Sequence, residues 1–118
     1  MKSDNLEKII IVEGKTDKSQ IEKIIDDHVI IVCTYGTFGI ERFDELLEKY
    51  QLDDREVLIL VDEDEAGIAL RKQLTAELPH ADHIYIHGDY KEVATTPEYV
   101  LASLLANKYI QVKPYYLR

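Results

Sequence analysis

Leu58-Ile59-Leu60-Val61-Asp62-Glu63-Asp64-Glu65-Ala66-Gly67 is an apolar run of four that ends in four consecutive carboxylates and a small-residue pair. So short an apolar run, followed by a helical pattern, reads as a buried parallel strand that delivers its last residues to the carboxyl edge of a sheet. Ligands of α/β folds bind at that edge. With the backbone extended through Glu63, the period-2 alternation points Asp62 and Asp64 one way and Glu63 the other. Two carboxylates facing one spot repel unless a cation lies between them, which points to a hard divalent metal with oxygen ligands, Mg²⁺ before others. The plainer alternative is that Asp64 or Glu65 caps the following helix while the other acids are solvated.

Outward from this stretch the same grammar repeats. On the N-terminal side, Lys8 to Val12 reads as a first buried strand built on β-branched residues, ending at Glu13-Gly14. Lys15-Thr16-Asp17 opens a helix, with Lys15 in the turn, Thr16 or Asp17 as N-cap, and Ile21, Ile24 and Ile25 on one face. Val29 to Thr34 is a second strand, and the glycines of Tyr35-Gly36-Thr37-Phe38-Gly39 permit positive φ or close approach to a ligand. Ile40, Phe43, Leu46, Leu47 and Tyr50 mark an amphipathic second helix whose acids face water.

On the C-terminal side, Ala66 to Leu78 is a third helix, stopped by Pro79. Ile84 to Ile86 is expected as a short fourth strand leading into the polar segment His87 to Glu92, and Thr96-Pro97 supplies the N-cap and first residue of a last helix through Ala106. The tail from Lys108 to Arg118 mixes Tyr109, Tyr115 and Tyr116 with basic residues. Tyrosines packing that segment onto the core are the favoured reading, ahead of a stacking platform for nucleic acid. His80 and His83 lack a ligand set and read as loop residues. Strand-helix alternation throughout predicts an α/β fold, a four-stranded, mainly parallel sheet with helices on both faces.

Composition bounds the function. The 118 residues, 46% hydrophobic and 31% charged, are expected to form one domain over residues 1–118, with its core at about 8–106 and a basic tail at 107–118. Met1 to Glu7 lacks an apolar signal-type core and no run is long enough to span a bilayer, so a cytoplasmic protein with no membrane partner is expected. Cys33, the only cysteine, lies in an apolar run and reads as a small buried side chain. The net charge of −9 opposes unassisted binding to nucleic acid, but it is uneven: residues 41–65 carry eleven acids against three bases, whereas Lys108, Lys113 and Arg118 face no acid from Tyr99 onward.

Three segments together resemble the toprim family, the domain shared by topoisomerases, bacterial primases and several nucleases. Val12-Glu13-Gly14-Lys15-Thr16-Asp17 resembles its strand-end glutamate and glycine with a helix-starting aspartate. Gly36-Thr37 follows the second strand, and Asp62-Glu63-Asp64-Glu65-Ala66-Gly67-Ile68-Ala69 resembles the primase form of the acidic motif, D-x-D-x-A-G-x-x-A. Lys91 to Glu98 is more similar to the maturase ribonucleases of the family, which trim ribosomal RNA precursors, and makes Glu92 an extra acid. The resemblance implies a Rossmann-like toprim fold and Mg²⁺, or Mn²⁺ in its place, held by Asp62 and Asp64. Glu13 is then a metal ligand or the general acid and base, and Gly14, Lys15, Asp17, Gly36, Thr37, Lys91 and Glu92 become candidate substrate contacts. It implies a nuclease-like phosphodiester chemistry on RNA or DNA, with a metal stabilising the transferring phosphoryl group and a carboxyl carrying the proton.

Two other readings stand beside it. A non-catalytic toprim module that recruits a protein partner would suit the acidic surface. A phosphoacceptor receiver domain would use Glu13, Asp62 and Lys113-Pro114, but this chain has Gly14 where a receiver carries a second acid.

Overall fold

The computed structural model describes residues 6–36 and 38–117. Strand β1, Lys8–Val12, buries all four of its β-branched apolar residues. It lies between β2, Val29–Cys33, and β3, Val57–Leu60, and the short β4, Asp82–Ile84, forms the far edge. The order is β2-β1-β3-β4 and every pair is parallel, so the sheet is wholly rather than mainly parallel. Its fourth strand begins two residues earlier than the apolar pattern indicates, because Leu58 pairs with Asp82 and Leu60 with Ile84. An edge strand can carry polar residues such as Asp82 and His83 on its open side. Ile86 is buried beyond the ladder, and His83 is a strand residue, not a loop residue.

Among the described residues four α-helices cover the sheet: α1, Lys15–Ile24; α2, Ile40–Tyr50; α3, Glu65–Glu77; and α4, Glu98–Asn107. Alternation along the strands divides the core in two. Ile10, Val12, Leu58 and Leu60 face Ile21 and Ile24 of α1 and Leu101 and Leu105 of α4. Ile9, Ile11, Val57, Ile59 and Val61 face Phe43 and Leu46 of α2 and Leu70 and Leu74 of α3.

The helix starts differ from the sequence expectations at three places, α3 beginning at Glu65 and not Ala66. Gly14, not Thr16 or Asp17, is the N-cap of α1, so Lys15 is its first helical residue. Pro97 is the N-cap of α4, while the Thr96 hydroxyl donates back to the Glu92 carbonyl at 2.6 Å. The tail is held by aliphatic residues more than by tyrosines: Ile110 and Val112 are buried, and Val112 bridges to Ile25. Tyr116 packs partly against the core, whereas Tyr109 and Tyr115 are exposed. Cys33 is half-buried. Arg118 lies outside the described residues. No helix among the described residues is long and apolar enough to cross a membrane.

From β1 the chain crosses to β2 on one side and later to β3 on the other, which makes the β1/β3 boundary the switch point of the sheet. A crevice forms where neighbouring connections part in this way, at the carboxyl ends of the two strands. Glu13 and Asp62 emerge there.

Candidate functional site

A cavity of about 510 Å³ opens at that edge. Glu13 and Gly14 reach it from the end of β1, Thr16 and Asp17 from the first turn of α1, and Tyr35 and Gly36 from the end of β2. Asp62 enters after β3, and Glu92 and Ala94 come from the segment before α4. Of the residues singled out in the sequence, Glu13, Gly14, Asp17, Gly36, Asp62 and Glu92 therefore share one space. Asp64, Lys15 and Lys91 do not line it, and Thr37 lies outside the described residues.

Each acid is positioned by backbone. Asp62 accepts the Val93 N–H at 2.8 Å, and the Glu63 N–H donates to the Lys91 carbonyl at 2.6 Å. These two bonds clamp residues 91–93 against the acidic turn. Asp17 accepts the Gly14 N–H at 3.0 Å and is buried. Glu13 has its carbonyl bonded by the Tyr35 N–H at 2.6 Å, whereas its side-chain Oε1 is buried without a hydrogen-bond partner. Tyr35 and Gly36 both take left-handed φ, +58° and +98°, which turns the chain over the mouth of the cavity. The glycine freedom read at Gly36 is thus used, while Gly39 is an extended N-cap.

Asp64 and Glu63 have structural partners. Asp64 Oδ1 caps α3 by accepting the Gly67 N–H at 2.8 Å, as the plainer reading of the acidic run anticipates. Glu63 turns from the cavity, as the alternation requires, and pairs with Arg71 at 3.1 Å. Arg71 also donates to the carbonyls of Ile59 and Ile84, contacts His83 Nδ1 and lies over the Tyr85 ring at 4.2 Å. Gly67 has a steric function: a Cβ there would sit 2.0 Å from the Asp62 carbonyl oxygen, so only glycine lets α3 start this close to Asp62. The Asp-Glu-Asp-Glu-Ala-Gly spacing carries that signal. Nothing local in the sequence connects Val93 to Asp62, 31 positions away.

Electrostatically the cavity favours protons or cations. Burial raises the Glu13 pKa, and the charges of Asp62, Asp64 and Asp17 raise it further, opposed by a hydrogen bond from the Asp62 backbone. Burial also raises Asp62, opposed by the Val93 N–H and reinforced by Asp17, Asp64 and Glu92. Asp17 is raised by burial as well, partly offset by its backbone hydrogen bonds. Among the described residues no three His, Cys, Asp or Glu side chains are grouped closely enough to enclose a metal ion. Magnesium does not require such a cage, because it keeps several waters and is usually bound through one or two carboxylates plus substrate phosphates. The unpartnered Glu13 oxygen beside Asp62 fits that mode.

The comparisons with known proteins agree with this geometry. Residues 8–88 match the family model of the Toprim domain. The uncharacterized protein YusF of Bacillus subtilis (strain 168) is 44% identical over 117 residues, covering 99% of this chain and 79% of that protein. Ribonuclease M5 of Fusobacterium nucleatum subsp. nucleatum is 28% identical over 106 residues, covering 84% of this chain, and that of Lactococcus lactis subsp. lactis is 26% identical over 91 residues, covering 75%. The chain spans only 57% and 42% of these two ribonucleases. A solved small TOPRIM domain protein from Bacillus stearothermophilus superposes with a TM-score of 0.88 at 38% identity, over 97% of this chain and 95% of that one. With this strand order, the acids at its switch point and the family match across most of its length, the chain belongs to the Toprim family.

Proposed function

We propose that this protein is a divalent-metal-dependent nuclease of the Toprim type that cleaves phosphodiester bonds of RNA or DNA. The observation that carries the proposal is the pairing of Glu13 and Asp62 in one cavity at the β1/β3 switch point, with Glu13 Oε1 buried and unpartnered. Membership of the family supports a divalent cation, and similarity to ribonuclease M5 supports a nucleic-acid substrate. Asp62, together with the carboxylate oxygen of Asp64 that does not cap α3, would hold Mg²⁺ or Mn²⁺, which when bound supplies charge stabilisation to the transferring phosphoryl group.

Glu13 moves the proton. Its carboxyl binds a proton more readily than an ordinary glutamate, so it is suited to take one from the attacking water and return it to the leaving oxygen. Gly14 and Gly36 leave room for a phosphate at the cavity wall, and Asp17 holds the Gly14 turn in place. Lys15 and Lys91, both exposed, are the nearest cations in the chain to Gly14 and Glu92 and would meet flanking phosphates. A second reading, a non-catalytic Toprim module that recruits a protein partner, draws on the lack of a closed three-ligand group among the described residues.

A cleavage assay over RNA, single-stranded DNA and duplex DNA, with Mg²⁺, Mn²⁺ or EDTA, tests the proposal. Metal-dependent cleavage is expected, falling by about 10²-fold or more in Glu13→Gln with substrate binding nearly unchanged. Rescue of Glu13→Gln by higher metal concentration would reassign Glu13 as a ligand only. Absence of metal-dependent cleavage on every substrate would leave the partner-recruiting module.

A further inference from the structure

The acids of the site repel the phosphates that the proposed nuclease must bind, and the chain as a whole carries a net charge of −9. Affinity for a phosphate backbone has to come from clustered cations elsewhere. In the basic tail, Lys108 is already engaged by Asp82 at 3.0 Å.

A second, smaller cavity of about 200 Å³ lies along the open edge of the sheet, over β2 and between α1 and α2. Three cations line it, Lys18 from α1 and Arg42 and Lys49 from α2, and no acidic side chain does. Among the described residues none of the three forms an ion pair; Lys49 lies over the Tyr50 ring at 5.3 Å. Arg42 and Lys49 are exposed and Lys18 is half-buried. Three unneutralised cations around one depression, in a chain with 23 acids to 14 bases, are a local reversal of sign. The depression adjoins the carboxylate cavity: Tyr35, 61% exposed, lines both.

We infer that Lys18, Arg42 and Lys49 form the phosphate-backbone track of the substrate, along which the nucleic-acid strand flanking the cleaved bond leaves the carboxylate cavity past Tyr35. This rests on the nuclease reading. It adds the direction in which the strand runs, over α1 and α2 at the β2 edge and away from the oppositely placed β4 edge. Phosphates on this track set affinity and register, not sequence preference. Tyr35 offers a ring face for one base at the passage between the cavities.

The test is equilibrium binding of fluorescein-labelled single-stranded RNA and DNA to the full chain, by anisotropy in Ca²⁺ over a series of salt concentrations. The variants are Lys18→Ala/Arg42→Ala/Lys49→Ala, the charge-preserving Lys18→Arg/Arg42→Lys/Lys49→Arg, and Lys72→Ala/Lys108→Ala/Lys113→Ala as a control for net charge. Each phosphate contact contributes about 0.7 to the slope of log affinity against log salt on single strands. The triple alanine variant should therefore lose about 2 from that slope, while the charge-preserving and control variants keep most of it. A slope unchanged in the triple alanine variant overturns the track. If that variant still cleaves in Mg²⁺, the nuclease reading survives without it. An oligonucleotide that wild type binds no more tightly than inorganic phosphate also overturns the track, leaving a small-anion site. Loss of slope in all three variants overturns it too, because net charge alone would then account for binding.

Discussion

Asparagine at position 62 keeps the shape of the aspartate and its acceptor for the Val93 N–H but removes its charge. That charge is half-buried and faces Asp17, Asp64 and Glu92, so in metal-free protein it opposes folding. Asp62→Asn in EDTA is expected to stabilise the fold, by about 1 kcal/mol or less, since solvent screens a group this exposed. Urea unfolding at pH 7 measures it, and destabilisation would mean that the Asp62 charge is satisfied within the protein. This double character of one residue was half legible in the sequence. Alternation along an extended chain separates Asp62 from Glu63 correctly, but it assigns Asp64 to the cavity when one of its oxygens is committed to the Gly67 N–H. Both readings rest on the same three letters, and cap geometry decides between them. The buried, unpartnered oxygen of Glu13 has no sequence signature, because it depends on other parts of the chain meeting at the end of β1.

Helix α3 is the element that aims the acidic turn, and Gly67 sets how closely it approaches. Gly67→Ala would normally favour a helix by about 1 kcal/mol. Here the new methyl would meet the Asp62 carbonyl at 2.0 Å, so the turn must move. Net destabilisation of about 1–3 kcal/mol is expected from overpacking, together with weakened metal binding, readable by urea unfolding and calorimetry. One turn along the same helix, Arg71 holds Glu63 and His83. An imidazole Nδ1 that receives an arginine N–H must be neutral, and burial, with Arg71, lowers the His83 pKa, against a smaller opposing pull from Asp82. Between the lowered value and about pH 6.5 the folded state then binds fewer protons than the unfolded chain. This contribution to stability is full above about pH 6.5 and is lost as pH falls through the lowered value. His83→Gln should flatten the fall in melting temperature between about pH 7 and pH 5; an unaltered slope would remove His83 as its source. Apolar continuity at Ile84 and Ile86 places the β4 edge that carries His83 two residues too late, because the ladder uses the polar pair Asp82 and His83.

For the molecule as a whole, the alternation of apolar runs and amphipathic stretches made the parallel sheet legible, because the central strands β1 and β3 are buried on both faces and each helix on one. The assembly of the cavity was legible only where its parts sit at strand ends. The segment 91–94 joins through contacts that no periodicity encodes. The charge of the whole chain and the charge of the cavity make separable demands on cations. A net charge of −9 repels itself throughout the fold, and any salt relieves that repulsion by screening, with a Debye length of about 10 Å at 0.1 M. Site binding is selective for a divalent ion and acts by mass action. Comparing NaCl with MgCl₂ at matched ionic strength separates the two. Both salts should raise the melting temperature of wild type, MgCl₂ by more. In Asp62→Asn/Asp64→Asn, which keeps the α3 cap through an asparagine, the rise common to both salts should persist and the excess from magnesium should vanish. An excess that survives the double substitution would place the divalent ion elsewhere on the acidic surface, and an absent excess in wild type would leave the carboxylate cavity as a proton site alone.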